Sequence, residues 1–298
     1  MALAILLLFS QSTFKNKMKH FFHKSVIIIA LIQILYFPAK GWTEPIPVFV
    51  SIIPQKYFVE RVGGDEVKVH VMVKAGESPA TFNPNPKKMS ELANANLYFS
   101  IGVPFEKIWI SRIKAIHPSL IFVPLNNALP SKKNLNEKAD PHIWLSPPLA
   151  KIMAEKIKDA LSKKNPEKAE FFKNNYSALA KDLDALHNEI RTTIDAGTTR
   201  RFMVFHPAWS YFAETYGLEQ IPIEHQGKEP GPRALQKIVT KGKNLKIKII
   251  FVQKQFGLLI AKKISKMIGA SVKEIDPLSE NYLENMRQTA KAISRANH

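Results

Sequence analysis

From Pro47 onward, short apolar or alternating runs take turns with stretches in which apolar positions recur every third or fourth residue. The first kind reads as buried strand and the second as amphipathic helix. In the first half, strands are expected over 48–53, 67–73, 97–102 and 120–125, and helices over 55–62, 87–95, 105–116 and 148–162. In the second half, strands are expected over 202–205, 220–224, 247–252 and 272–275, and helices over 208–216, 233–245, 258–268 and 282–296. Gly63, Gly217 and Gly269 stand where helices should stop. Within 67–73, Val67, Val69, Val71 and Val73 share one face, which turns His70 the other way, toward solvent. The segment 75–86, rich in Pro and Asn, is expected to be irregular, as is the polar stretch 126–140. Strands alternating with helices at this spacing argue for parallel βαβ units.

One stretch breaks the alternation. Between Asn165 and Ile194 the residues Phe171, Tyr176, Leu179, Leu183, Leu186, Ile190 and Ile194 recur at helical spacing for about thirty residues, after a helix-start signal at Pro166. A helix of that length runs roughly 45 Å, more than a small domain needs, and fits a spine between two lobes. His187 on it is expected at the surface. The predicted fold is α/β: two Rossmann-like βα lobes with mainly parallel sheets, over 42–164 and 198–298, joined by one long helix over 165–197.

Residues 1–41 differ from all of this, with five Lys, two His and no acidic residue around two apolar blocks. Read from Met18 as the start, MKHFFHK is a charged leader region, SVIIIALIQILYF an apolar core shorter than the ~20 residues of a spanning helix, and PAKG a cleavage region. The expectation is an exported, periplasmic protein beginning near Trp42. With no cysteine in the chain, neither a lipid-bearing cysteine nor a disulfide framework is available to it. The full chain carries a formal charge of +18, and 38 Lys and Arg against 25 Asp and Glu remain beyond residue 41. That balance raises nucleic acid as a partner. The lysines are dispersed over helix faces, however, with no arginine-rich stripe between aromatics and no nucleic-acid motif, so a solvated surface is the expected reading.

Three places carry candidate chemistry. The run Phe202 to Phe205 delivers His206 to the end of a strand, just before a proline. DPHIWLSP, residues 140–147, and EIDPLSENY, residues 274–282, place His142 and Asp276 in the same kind of setting. A lone histidine in such a position is more often structural than a ligand. Two imidazoles and a carboxylate from separate loops are nonetheless what a borderline-soft divalent cation needs, and the carboxyl ends of strands are where ligands bind in open α/β sheets.

Taken together, SIIPQKYFVERVGGDEV, a GxxP loop, NANLYFSIG, DPHIWLSP, NPEKAEFFKNN, FHPAWSYFAETYGLEQ, KEPGP and DPLSENY resemble the zinc and manganese solute-binding proteins of bacterial ABC importers, whose two lobes are joined by a rigid helix. The resemblance runs from about Val48 to the C-terminus. It implies a monomer that captures a divalent metal, zinc in the first place and manganese in the second, and passes it to an inner-membrane permease. It puts the family's second, third and fourth ligands on His142, His206 and Asp276. In the family's GxxP loop a histidine follows the proline, whereas here Gly76-Glu77-Ser78-Pro79 is followed by Ala80. Water, Glu77, Asn83, Glu224 or His225 would then complete the sphere. Two other readings follow from the residues: the same fold binding an organic solute or metal chelate, and a metal-dependent hydrolase, for which no HExxH helix is present.

Overall fold

In the computed structural model, residues 44–128, 140–198, 200–224, 227–253 and 258–296 are described. Residues 1–43, where an export segment is expected, and residues 129–139 of the polar stretch before Asp140 lie outside them. Two four-stranded parallel sheets form. The first contains β1 (Ile46–Val50), β2 (Val67–Val71), β3 (Leu97–Ser100) and β4 (Ile121–Pro124), in the order β2-β1-β3-β4. Its register sets Val48 beside both Val69 and Leu97, and Leu97 beside Ile121. The second contains β5 (Arg201–Val204), β6 (Glu219–Pro222), β7 (Ile249–Val252) and β8 (Ser271–Glu274), in the order β6-β5-β7-β8. Met203 pairs with Ile221 on one side and Ile250 on the other.

Helices connect the strands: α1 (Ile53–Gly63), α2 (Pro86–Leu92), α3 (Glu106–Ile116) and α4 (Pro147–Lys164) in the first half, then α5 (Ala169–Asp195). After it come α6 (Ser210–Thr215), α7 (Pro232–Asn244), α8 (Leu258–Ile268) and α9 (Tyr282–Ser294). Local chemistry marks several boundaries. The Asn85 side chain accepts from the Lys88 amide at 2.9 Å and Pro86 opens α2, so both entry signals act at once. After β3 the chain turns at Gly102, with φ of 93°, where a Cβ would lie 2.6 Å from the Asn126 amide nitrogen. Only glycine fits there.

The long helix α5 has 27 residues, about 40 Å at 1.5 Å per residue. Leu179, Leu183, Leu186, Ile190 and Ile194 are buried as their spacing predicts, but at its start the inward residue is Phe172, and Phe171 is 40% exposed. A short 3-10 turn at Pro166–Lys168 precedes the helix, and within the helix Phe172 stands close to two full turns before Leu179, which puts it rather than Phe171 on the inward face. α5 packs against α1 and α4 on one side and α9 on the other. Through α9 the two sheets share a core: Tyr282 stacks on Tyr57 at 5.5 Å and meets Phe58 edge-on at 4.7 Å, while Phe202, Val204 and Phe251 join the same cluster from the second sheet. The opposite face of that sheet, with Met203, Phe205, Ile250 and Val252, is covered by α7 and α8 through Val239, Ala261 and Ile264.

Two histidines sit differently from their sequence-based placement. His70 is half-buried and stacks on Phe49 at 5.1 Å, because the β1–β2 register puts the two residues side by side. His187 is also half-buried, its ring against Tyr216 with Nδ1 3.2 Å from the hydroxyl. Burial pushes its pKa down, helped by the charge of Arg191.

Candidate metal centre

β5 lies between β6 and β7, at the point where the strand order reverses. A crevice opens at the carboxyl ends of strands around such a point. Beyond the ladder proper, the Phe205 amide donates to the Phe251 carbonyl at 2.8 Å and the Glu224 amide to the Phe205 carbonyl at 2.9 Å. These bonds hold the next residue, His206, over the strand ends with Glu224 beside it. His206 is half-exposed, whereas Glu224 is only 4% exposed. Their side chains meet, with Nδ1 3.0 Å from Oε1 of Glu224, and the same oxygen accepts from the Gly227 amide at 2.8 Å. Gln253, buried at the end of β7, donates from Nε2 to the His206 carbonyl at 3.1 Å.

His142 enters from the first half. Its backbone amide donates to Oδ1 of Asp140 at 3.0 Å, and its ring Nδ1 lies 2.6 Å from the same oxygen. The carboxylate two residues upstream therefore fixes both the turn and the ring. Burial pushes the Asp140 carboxyl up, but its bonds to the His142 side chain and amide and to Ser210 outweigh that and hold it below the usual carboxylate range. A 3-10 turn, Ile143–Leu145, follows with all three side chains buried, and it anchors the segment. The rings of His142 and His206 lie 5.3 Å apart between centroids, tilted by 73°. Sequence reasoning offered these two imidazoles, from separate loops, as ligands of one cation, and their rings lie side by side.

Asp276 follows β8, and the Ile275 amide donates to the Val252 carbonyl at 2.9 Å. Its Oδ1 accepts from the Leu278 amide at 2.9 Å, an Asx turn. The next residue ties this loop to that of His142: Trp144 donates from its indole to the Pro277 carbonyl at 2.8 Å, and Tyr282 donates its hydroxyl to the Trp144 carbonyl at 2.7 Å. The loops are neighbours, but among the described residues no group of three His, Cys, Asp or Glu side chains converges closely enough to hold an ion.

The candidates for the remaining position fare unequally. Glu77 is exposed and accepts from the Lys74 amide at 2.7 Å, closing its own turn. Asn83 is exposed, as is Ala80, whose amide donates to Ser78 Oγ at 3.3 Å. Glu224 is bonded to His206, and His225 lies outside the described residues. Sequence reasoning missed the roles of Asp140 and Glu224 as carboxylates that orient an imidazole through Nδ1, the pattern that fixes tautomer and direction in metal-binding histidines. The Asp-x-His spacing carried a signal for the first. Nothing local pairs residue 206 with residue 224, which only the strand order sets side by side.

Two α/β lobes bridged by a long helix, with loops from both meeting over the strand ends, define a two-lobed binding protein. The chain belongs to the family described as ZnuA, zinc-uptake complex component A, periplasmic, whose profile matches residues 48–296. Over 250 residues it is 28% identical to a putative metal-binding protein of Chlamydia muridarum, covering 83% of this chain and 90% of that one. It is 25% identical to the high-affinity zinc uptake system protein ZnuA of Bacillus subtilis, covering 86% and 88%. A crystal structure of ZnuA superposes with a TM-score of 0.82 at 34% identity, covering 85% of this chain and all of the other. Among the described residues no helix is long and apolar enough to cross a membrane.

Proposed function

We propose that this protein captures a zinc ion between its lobes in the periplasm and delivers it, as a monomer, to an inner-membrane ABC permease. His142 and His206 hold the ion, with Asp276 as the third protein ligand. The observation that carries this reading is the separation of the two rings. Two imidazoles bound to one tetrahedral ion at about 2.0–2.1 Å through nitrogen would have centroids about 5.2 Å apart. The 5.3 Å found here matches, with each Nδ1 occupied by a carboxylate so that Nε2 takes the metal. Asp276 reaches the ion by giving up its Asx turn, a local change at the end of β8. Manganese is the second candidate on the same donor set. Transport is favoured over hydrolysis, because the two carboxylates nearest the imidazoles are bound to the rings and neither is placed as a general base. For this role we divide the chain into an export segment over 1–41, lobes over 42–164 and 198–298, and a linking helix over 165–197.

Protein purified from the periplasm without added metal should contain close to one equivalent of zinc. His142→Ala, His206→Ala and Asp276→Ala should each weaken zinc binding well over tenfold in a competition titration, and binding should release protons as neutral imidazoles take the metal. Unchanged affinity in His206→Ala would end the proposal, and no zinc binding in the unaltered protein would favour the organic-solute reading.

A further inference from the structure

Residues 230–273 hold eleven Lys and Arg and no Asp or Glu. The rest of the chain from residue 44 carries twenty-seven against twenty-five, so nearly all the net charge beyond the leader region sits in this one segment. In the fold the segment is α7, β7, α8 and most of β8. The helices lie side by side on the outer face of the second sheet. Ten of the eleven cations are among the described residues and all ten are exposed. Among those ten, Lys241 alone is in an ion pair, 3.4 Å from Glu219.

The helical geometry turns Arg233, Lys237, Lys262, Lys263 and Lys266 to the outer surface of the two helices. α7 buries Val239 and Gly242, and at 100° per residue Arg233 and Lys237 point the opposite way. α8 buries Ala261, Ile264 and Ser265, which turns Lys262, Lys263 and Lys266 outward. One turn before those lysines, at the start of the same helix, Leu259 is 84% exposed and Leu258 47%, and Met267 at its other end is 39% exposed. Large apolar side chains on an outward face cost free energy in water, whereas exposed leucines followed by lysines on the same helix suit an interface that is both anionic and apolar. Nucleic acid fits less well: ten of the eleven cations are lysines, and the segment has no Trp or Tyr on which bases would stack.

We propose that the α7–α8 face is a docking surface for an anionic lipid bilayer, with Lys262, Lys263 and Lys266 over the headgroups and Leu258 and Leu259 entering the interface. Held this way, the protein stays concentrated at the membrane that it serves. The surface is separate from the crevice of His142 and His206, and the proposal does not depend on the identity of the bound metal.

The test is co-sedimentation of the full-length mature protein with large vesicles, either pure phosphatidylcholine or phosphatidylcholine with 30% phosphatidylglycerol. Binding is expected to the anionic vesicles alone and to be lost in 0.5 M salt, since exposed charges are screened at that ionic strength. A lysine near an anionic surface is worth about fivefold in partitioning. The triple variant Lys262→Glu, Lys263→Glu, Lys266→Glu should therefore lose at least tenfold, and Leu259→Ser about threefold, with unchanged circular dichroism and zinc binding. A control triple, Lys163→Glu, Lys164→Glu, Lys181→Glu, makes the same charge change on exposed sites of α4 and α5. An equal loss in the control would overturn the proposal, as would equal binding to neutral vesicles. So would tighter binding to duplex DNA than to the anionic vesicles that is weakened by the same triple variant.

Discussion

The two sheets have the same strand order, and their central strands can be compared residue by residue. In the first, the Met72 amide donates to the Val50 carbonyl and the Val73 amide to the Ser51 carbonyl, at 2.9 and 3.1 Å. In the second, Ile223 donates to Val204 and Glu224 to Phe205, both at 2.9 Å. His206 and Glu224 thus stand where the first sheet has Ile52 and Val73, each 1% exposed. An apolar pair closes one crevice, and a histidine with its carboxylate opens the other to chemistry.

The first sheet is not without polar groups at this end, but they satisfy one another. Glu106, 3% exposed, accepts from Ser51 Oγ, from the Ile101 amide at 2.9 Å and from the Gly102 amide at 2.7 Å. Tyr98 shares a 2.9 Å hydrogen bond with Ser51, and Gln55 receives the amides of Ser51 and Ile52 and donates to the Phe99 carbonyl. A buried carboxyl serves stability when its acceptors are all used by its own lobe. It serves binding when its partner is a ring that has a second nitrogen to offer. Glu106 and Glu224 illustrate the two cases at almost equal burial.

The largest test of this contrast is Glu106→Ala, which removes the acceptor of the Ser51 hydroxyl and of the Ile101 and Gly102 amides and should cost about 3 kcal/mol or more of stability. Urea unfolding would measure it, and zinc affinity should hardly move. A loss below about 1 kcal/mol would mean that the network is not what closes this end of the lobe. Burial holds the Glu106 carboxyl above its ordinary range, although Ser51 and the two amides pull the other way. A raised folded-state pKa means the folded chain binds that proton more tightly than the unfolded one. The associated stability is present below the unfolded value, near 4.5, and is lost as pH rises through the folded one. Glu106→Gln should lack this slope.

Next in size is Glu224→Val, which gives the second lobe the residue of the first. Loss of an outer-shell carboxylate on a metal-binding histidine typically weakens metal binding ten- to a hundredfold, and that range is expected here. Titration with a zinc-competing dye would read it, and an unchanged Kd would show that Glu224 does not orient His206. Ala80→His works in the opposite direction. If water completes the sphere, an imidazole offered by the Gly76 loop should tighten zinc binding about tenfold, or ~1.4 kcal/mol. No gain would mean that another side chain already fills the place. The smallest effect belongs to Tyr98→Phe, which removes one buried hydrogen bond to Ser51 and should cost about 1 kcal/mol with no change in zinc binding.

Every predicted strand and helix is found, with ends displaced by up to about four residues, because the apolar periods of two and 3.6 are local properties that survive folding. Motif spacing likewise located His142, His206 and Asp276 at strand ends or loop turns. What the periodicity could not carry was the start of the long helix, where Phe172 and not Phe171 faces inward, or the setting of His70, fixed by its pairing with Phe49. The pairing of His206 with Glu224, and the hydrogen bond from Trp144 to Pro277, 133 residues away, were equally out of reach. The sequence by itself determined the elements and the residue types at their ends. Which ends lie together was decided only by the strand order and by the packing of α9 across both lobes, since contacts between residues far apart in the chain depend on the whole core and not on any local pattern.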